Sequence, residues 1–280
     1  MTVRTRLPAH TIGALYDRIS PAVEDALIDT LKIFGRTVPA PRNDPFYGLD
    51  RRDDLALKTL EHMTAHGDFR KYVFVLDAGG GLGGVARWLT LTYGCRVLVL
   101  DVLPRLLATA QRLTKRARLG GRITAVAGSF DAIPVRDGVF TQIWSAEALH
   151  HAEDRRRAIG ELFRVLRPGS TLALHEVVRR SASVPPIGGL WHHGTEDEYL
   201  AILADAGFAT IEIEDVTNER AEASAITRSA EESFVRLLAE RAPDDAETWR
   251  RGRDELQAIA AVERGPDYRA VQFFARRPSV

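Results

Sequence analysis

The stretch from Val73 to Gly84, VFVLDAGGGLGG, decides the fold of this 280-residue chain. Its first four residues, Val73 to Leu76, form a continuous apolar run that is typical of a strand buried on both faces of a parallel sheet. The glycines that follow let the backbone turn tightly and approach a ligand closely. A helix predicted from about Gly84 to Thr92 would direct its unpaired N–H groups toward that turn. The stretch therefore predicts a strand, a ligand-binding turn and a helix.

Strand and helix signals alternate along the rest of the chain. Further strands are predicted over 96–100, 123–127, 140–145, 171–175, 209–216 and 269–275. Between them, helical patterns cover 104–118, 154–166 and 196–206. This alternation favours a parallel sheet with right-handed crossover connections. We predict an α/β fold, a Rossmann-like seven-stranded and mostly parallel sheet flanked by helices.

The two ends of the chain have a different character. Two helical patterns separated by a proline-rich loop precede the first strand, and two charged helical stretches occur late in the chain. We predict an N-terminal helical cap over 1–67. A Rossmann-like domain is then expected over 68–280, with a helical insertion at about 219–262.

Composition and charge narrow the range of functions. The 38 Lys and Arg residues balance 38 Asp and Glu residues, so the formal net charge is zero. A protein that binds duplex nucleic acid needs a surplus of cations, and we therefore predict no nucleic-acid partner. Cys95 is the one cysteine, which excludes an internal disulfide. Because no apolar run approaches ~18 residues and no signal peptide is apparent, we expect no membrane partner and a cytoplasmic location.

An acidic residue, Asp101, follows the second predicted strand at a sequence separation from the glycines that is typical of nucleoside-binding sites. Asp101 lies 22 residues (101 − 79) after Gly79, where a carboxylate can accept the two hydroxyls of a ribose. The glycines also satisfy the dinucleotide pattern, which leaves a nucleotide-linked oxidoreductase open. Asp77 favours a different nucleoside, because its carboxylate could hold a cationic amino group. Little chain also remains for a separate catalytic domain.

The segment from Val75 to about Glu176 resembles the class I S-adenosylmethionine-dependent methyltransferases of the small-molecule type. These include the sarcosine/dimethylglycine, ubiquinone/menaquinone and sugar O-methyltransferases. The resemblance is carried by the ordered series VLDAGGGLGGVARWL, GCRVLVLD, GSFDAIPVRDGVF, WSAEALHHAEDRRRAIGELFRVLRPGS and TLALHE. Thr141 departs from the pattern, which usually has an acid there, and Ser170 replaces a glycine.

The resemblance implies S-adenosylmethionine as the cofactor and a set of residues that contact it. The methionine part would lie against Asp77, Gly79 and Gly81, the ribose against Asp101, the adenine between Ser129 and Phe130, and Ser145 would face the cofactor. Tyr16 resembles a tyrosine that closes over the methionine end, with a core tyrosine as the alternative. Ser129 stands where the family often has an acid.

Histidines mark the expected acceptor side. His150 and His151 follow the fourth strand, at the edge where the active site of this fold opens. A neutral imidazole can accept a proton near pH 7, and Glu176 at the end of the fifth strand could orient that ring or bind a substrate cation. In the similar sugar O-methyltransferases, such a histidine and acid are thought to be base and partner. We therefore take His150, His151 and Glu176 as candidate catalytic residues, with a packed histidine as the alternative.

Two further histidine pairs are present. His192 and His193 occur where relatives border the substrate pocket. His62 and His66 are four residues apart on a predicted helix, so they share a face. No third ligand is apparent for them, and we predict an ordinary helix surface and no metal site.

These observations predict an enzyme that transfers a methyl group from S-adenosylmethionine to a hydroxyl or amine of a small molecule. Transfer would be an in-line displacement, with a histidine as general base where the acceptor must lose a proton. The alternatives are a nucleotide-linked oxidoreductase on the same sheet and a non-catalytic relative that binds the nucleoside. A homodimer is left open.

Overall fold

Seven strands form one sheet in the residues that the computed structural model describes, which are 21–33, 57–152, 154–187, 191–220 and 224–279. The strands are β1 Phe74–Ala78, β2 Arg96–Asp101, β3 Ile123–Ala127, β4 Phe140–Ala146, β5 Leu166–Arg179, β6 Ile211–Asp215 and β7 Tyr268–Arg276. Their order is β3-β2-β1-β4-β5-β7-β6. Within this sheet, β7 runs in the opposite direction to the other six strands. The predicted seven-stranded, mostly parallel sheet is confirmed.

Two of the described helices precede the first strand in the chain, and the other described helices lie between strands. They are α1 Pro21–Ile33, α2 Leu57–Ala65, α3 Gly84–Tyr93, α4 Pro104–Arg116, α5 Arg155–Val165, α6 Glu196–Asp205, α7 Thr217–Arg220, α8 Ser224–Arg241 and α9 Pro243–Glu263. A single 3-10 turn, Leu149–His151, lies between β4 and α5. Among the described helices, none is both long enough and apolar enough to span a bilayer.

Several boundaries differ from the predicted ones. The fifth strand was expected over 171–175, but β5 extends to Arg179 because β7 pairs with it residue by residue from Thr171 onward. The late helical stretch expected from 219 begins at Ser224 as α8, after the short α7. In the first case strand pairing, which a local pattern does not contain, determines the boundary.

The core lies on both faces of the sheet. Successive residues of a strand point to opposite faces, so Val75 and Leu76 belong to two different apolar clusters. The cluster around Leu76 packs against α5 and α6. The other cluster packs against α2, α3 and α4 and contains the buried rings of Trp88 and Trp144. The carboxyl ends of β1, β2, β4 and β5 are therefore supported from both sides.

Helices from the two ends of the chain pack together beside the glycine turn. α1, α8 and α9 share an apolar cluster with Leu82 of that turn and with α4. Glu24 of α1 is buried and binds Arg112 at 2.7 Å, and it also pairs with Arg116. The domain boundaries stay a prediction. The described part of the expected cap, however, is in contact with the described part of the late insertion.

Candidate active site

The glycine turn after β1 has a conformation that requires glycine. Gly79 and Gly81 have φ angles of +76° and +53°, in the left-handed region. A Cβ atom on Gly79 would lie 2.4 Å from the Cβ of Ala148, so the turn also touches the segment after β4. The amide of Gly79 donates to the carbonyl oxygen of Leu100 at 2.8 Å. The turn is therefore held close to the ends of β2 and β4.

The carboxylate of Asp101 is fixed beside this turn. Its Oδ2 accepts from the amide of Gly81 at 3.1 Å, and its Oδ1 accepts from the amide of Leu103 at 3.0 Å. These two backbone bonds hold both oxygens of the carboxylate in a fixed direction. The side chain predicted to bind a ribose is thus oriented before any ligand arrives.

Asp77 at the end of β1 is a buried acid with an unsatisfied oxygen. Its Oδ2 has no hydrogen-bond partner among the described residues. Burial, reinforced by the charge of Asp101, raises the pKa of Asp77 to about 7. A cationic group brought to this carboxylate would supply the missing partner and favour the ionised form. The site therefore suits a ligand with an amino group at this position.

Arg87 is a buried residue that sequence reasoning missed, and it binds the backbone of the glycine turn. The Arg87 guanidinium donates to the carbonyl oxygen of Leu82 at 2.6 Å and to Oγ1 of Thr114 at 3.0 Å. The side chain is fully buried, and its charge partly offsets the rise in the pKa of Asp77. A charged residue in the apolar helix GVARWLTLTY was the available signal.

The residues expected around adenine differ in what their side chains do. The Phe130 ring lies beside the turn, with Cζ 3.2 Å from the position of a Cβ on Gly79. The Ser129 hydroxyl accepts from the amide of Asp131 at 3.1 Å and lies 3.3 Å from its Oδ2. Phe130 thus offers an apolar surface, whereas the Ser129 hydroxyl is engaged in a local turn.

Two other expected contacts have different outcomes. Ser145 is fully buried, and its hydroxyl donates to the carbonyl oxygen of Ala78 at 3.0 Å, which links the ends of β1 and β4. That bond gives Ser145 a role in holding the sheet edge together. Tyr16 lies outside the described residues.

Glu176 at β5 organises the turn that carries the histidines. Its Oε1 accepts from the amides of Ala148 and Leu149 at 3.1 and 2.8 Å. Its Oε2 lies 3.0 Å from Nδ1 of His150. Because Glu176 is fully buried, its pKa is raised, an effect that the two amides oppose. Three N–H groups converging on one carboxylate fix the position of the 3-10 turn.

The His150 ring is buried and therefore neutral at physiological pH. Burial, followed by the charges of His151 and His193, lowers its pKa well below 6.5. Since the carboxylate of Glu176 accepts from Nδ1–H, the neutral ring carries its lone pair on Nε2. The expectation that Glu176 orients this ring agrees with the geometry. An imidazole held in this way can accept a proton at Nε2.

Aromatic rings surround this histidine. The ring centroids of His151 and His193 lie 4.2 and 5.0 Å from that of His150, and Trp191 packs against His151 at 4.8 Å. The amide of His192 donates to the carbonyl oxygen of His150 at 2.8 Å, although the His192 side chain is exposed. The segment after β5 thus covers the histidine turn.

His193 connects this cluster to the late helices. It is buried, its Nδ1 lies 3.1 Å from the carbonyl oxygen of Val177, and its Nε2 lies 3.0 Å from Oε1 of Glu263. Glu263 ends α9, in the predicted insertion. Sequence reasoning did not find Glu263, because it occurs 70 residues (263 − 193) after its partner in an ordinary charged helix.

Comparison with known proteins agrees with this geometry. Residues 76–174 match the family described as a methyltransferase domain. The matched segment is a class I methyltransferase domain. It contains the glycine turn, Asp101 and the histidine turn. The prediction of S-adenosylmethionine as the cofactor agrees with this family, which depends on that molecule.

One curated relative is similar over about half of the chain. The sarcosine/dimethylglycine N-methyltransferase of Halorhodospira halochloris is 33% identical over 153 residues, which are 52% of this chain and 55% of that protein. The chain thus spans about half the length of this relative. The similarity therefore supports the methyltransferase domain.

Solved structures share the fold over a longer stretch. The [4+2]-cyclase SpnF is 21% identical with a TM-score of 0.65, and the match covers 98% of both chains. The phosphoethanolamine N-methyltransferase 2 of Haemonchus contortus, in complex with S-adenosyl-L-methionine, is 18% identical with a TM-score of 0.66. That match covers 90% of this chain and 60% of the other. At these identities the likeness establishes the fold.

Proposed function

We propose that this protein transfers a methyl group from S-adenosylmethionine to an amine or hydroxyl of a small molecule. The observation that carries the proposal is the buried Asp77 oxygen without a described partner, beside a turn that only glycine can form. A ligand with a cationic amino group on a nucleoside would match both features. S-adenosylmethionine, when bound, supplies a methyl group already activated by the sulfonium.

The cofactor would be held by residues of the first two strands and the turn between them. Asp77 would bind the amino group, Asp101 would accept from the ribose hydroxyls, and Phe130 would pack against the adenine. Gly79 and Gly81 let the backbone approach closely. Because the Asp101 carboxylate already accepts hydrogen bonds from two backbone amides, its side chain needs little reorganisation when the cofactor binds.

On the acceptor side, His150 is proposed as the general base and Glu176 as the residue that orients it. The acceptor's proton would pass to Nε2 of His150. The acceptor's own lone pair would form the bond to the methyl carbon as the bond from that carbon to sulfur breaks, which leaves S-adenosylhomocysteine. A positioned base of this kind typically contributes about 10²–10⁴ in rate. His151, Trp191 and His193 would limit access of water.

An amine is the acceptor to test first. The name of the relative from Halorhodospira halochloris specifies sarcosine and dimethylglycine. An amine is methylated through its neutral form, whose nitrogen lone pair attacks the methyl carbon, so it depends less on a base than a hydroxyl does. The cytoplasmic location, the homodimer and the absence of a nucleic-acid partner stay predictions from the sequence.

The test has a binding arm and a turnover arm. Calorimetric titration with S-adenosylmethionine, S-adenosylhomocysteine and NAD⁺ should give heat with the first two alone. Release of S-adenosylhomocysteine is then measured with sarcosine, dimethylglycine and hydroxy acids of similar size. Binding without turnover on any acceptor would favour the non-catalytic alternative. Binding of NAD⁺ alone would favour an oxidoreductase, and no binding of S-adenosylmethionine would overturn the proposal.

A further inference from the structure

A second polar cluster lies away from the histidine turn, between α2 and the antiparallel end of the sheet. It contains His62 of α2, His66 directly after the end of that helix, and Glu214 of β6. Nε2 of His62 lies 2.8 Å from Oε2 of Glu214, and Nε2 of His66 lies 3.1 Å from Oε1. Glu214 is the third group that the sequence did not reveal. The two histidines therefore do not form the ordinary helix surface that we predicted.

Hydrogen bonds at the far side of each ring determine where its lone pair points. Nδ1 of His66 lies 3.2 Å from the carbonyl oxygen of His62, which can only accept. Nδ1 of His62 lies 2.9 Å from Oε1 of Gln272. The Gln272 amide nitrogen lies 3.5 Å from the carbonyl oxygen of Thr59, and this contact requires its Oε1 to face His62. With the proton on Nδ1, each uncharged ring would carry its lone pair on Nε2.

This arrangement directs three acceptors at one point. In that form the lone pairs of both Nε2 atoms face the carboxylate of Glu214, and an acceptor facing an acceptor is repulsive unless a proton or a metal ion lies between them. The three ligand atoms lie within 4.8 Å of one another. A metal bound by imidazole nitrogen and carboxylate oxygen at about 2.0–2.2 Å brings its ligands to similar separations. One divalent ion would satisfy all three groups.

The surroundings resemble those of metal-binding histidines in proteins. A ligating histidine usually donates its other N–H to a carbonyl or carboxylate oxygen, and both rings meet that condition here. The His66 ring is stacked on Phe274 at 3.9 Å with an interplanar angle of 16°, which fixes its direction. The side chains of His62 and Glu214 are 35% exposed and that of His66 is 24% exposed, so an ion can enter from solvent.

The register of β5, β6 and β7 places Gln272 beside the metal-binding candidates. Gln272 of β7 lies directly opposite Glu214 of β6 and His175 of β5, so the three side chains emerge on one face of the sheet. The Gln272 amide nitrogen also lies 3.4 Å from Nδ1 of His175. Gln272 is fully buried and held from both sides. It therefore acts as a positioning residue for His62.

We propose that His62, His66 and Glu214 bind one divalent transition-metal ion such as Zn²⁺ or Co²⁺. Two imidazoles and one carboxylate are a ligand set that zinc accepts, whereas Mg²⁺ and Ca²⁺ prefer oxygen ligands alone. Three protein ligands would leave further coordination positions to solvent. The proposal is independent of the methyl-transfer function, because its ligands are not those assigned to the cofactor or the acceptor.

The test uses the full chain without an affinity tag, stripped of metal with a chelator and dialysed. Co²⁺ is the probe, because its visible absorption reports nitrogen and oxygen coordination, and Zn²⁺ is titrated in competition. We expect one Co²⁺ per chain and displacement by Zn²⁺ but not by Mg²⁺. Wild-type protein that acquires no stoichiometric Co²⁺ absorption would overturn the proposal, whatever the variants do.

Variants locate the ion. Glu214→Gln keeps the size of the side chain and should weaken Co²⁺ binding at least about 100-fold, as should His66→Ala. Gln272→Met should weaken it about 10- to 100-fold, the usual cost of losing an outer partner of a ligating histidine. Glu61→Gln, which removes an exposed carboxylate from the same helix, is the matched control and should bind as wild type does. Unchanged binding by Glu214→Gln, in protein with a native circular dichroism spectrum, would contradict the site.

Discussion

Two buried carboxylates at the same edge of the sheet differ in how well they are satisfied. Glu176 at β5 accepts from two backbone amides and the His150 ring, whereas Asp77 at β1 has one oxygen with no partner in the described part of the chain. The two regions meet where Gly79 touches Ala148. The Glu176 carboxylate is thus satisfied within the protein, and we call its side of the site the complete half. The Asp77 side is the incomplete half, which the proposed cofactor would complete.

The largest effect is expected from Glu176→Ala, which would break the complete half. The substitution removes the oxygens that accept from the amides of Ala148 and Leu149 and from Nδ1–H of His150, so buried donors lose their partners. We expect a loss of about 2–4 kcal/mol in the free energy of unfolding, measured by urea denaturation. Glu212→Ala, which removes an exposed carboxylate from β6, should change stability by less than about 0.5 kcal/mol. Equal stability of the two variants would show that Glu176 does not organise the turn.

His150→Ala tests whether the ring in the complete half takes part in the reaction or only in the structure. If His150 is the general base, kcat should fall about 10²–10⁴-fold, while the Kd of S-adenosylmethionine stays within about threefold. His192→Ala is the matched control, because the exposed His192 side chain adjoins the same turn and its described bonds are made by its backbone. Full turnover by His150→Ala would remove the histidine from the mechanism.

Asp77→Asn should have opposite effects on stability and binding, which is the signature of the incomplete half. The pKa of Asp77 is about 7 in the folded chain against 3.8 for the unperturbed group, so the folded state retains a proton that the unfolded state loses. The contribution of Asp77 to the wild-type free energy of unfolding therefore falls as pH rises from about 3.8 to 7. In Asp77→Asn the free energy of unfolding does not show this decrease. We expect Asp77→Asn to be more stable than wild type by about 2–4 kcal/mol at pH 8, yet to bind S-adenosylmethionine more weakly.

His150 contributes to pH dependence with the opposite sign. Its pKa is lowered on folding, so the unfolded state binds the proton first and stability rises as pH increases toward about 6.5. Urea denaturation between about pH 5 and 8 should thus show a steeper rise in Asp77→Asn than in wild type. The same slope in both proteins would mean that the Asp77 oxygen is already satisfied without ligand.

The smallest effect is expected from Ser129→Ala. The Ser129 hydroxyl is engaged with Asp131, so its loss should weaken S-adenosylmethionine binding less than about threefold by calorimetry. Phe130→Ala, which removes the apolar ring beside the turn, serves as the contrast and should weaken binding more. If Ser129→Ala weakened S-adenosylmethionine binding more than Phe130→Ala does, the Ser129 hydroxyl and not the Phe130 ring would be the main contact of the adenine.

Much of the site was predictable because its signals are local. The glycine turn, Asp101 and the histidine turn follow predicted strands directly, and parallel strands bring their carboxyl ends to one edge. Ser145 followed the same rule, yet its hydroxyl is bonded to Ala78, because position at an edge does not determine which partner a side chain meets. Arg87 was missed because the apolar pattern around it predicted only a buried helix.

The sequence by itself determined the order of strands and helices and the type of nucleotide-binding turn, since hydrophobic periodicity and glycine conformation act over a few residues. Only the tertiary structure decided that Glu263 reaches His193 and that His62 meets Gln272, 210 residues later in the chain. Such contacts depend on sheet register and helix packing, which place side chains from distant segments on a common face. No local pattern contains that information.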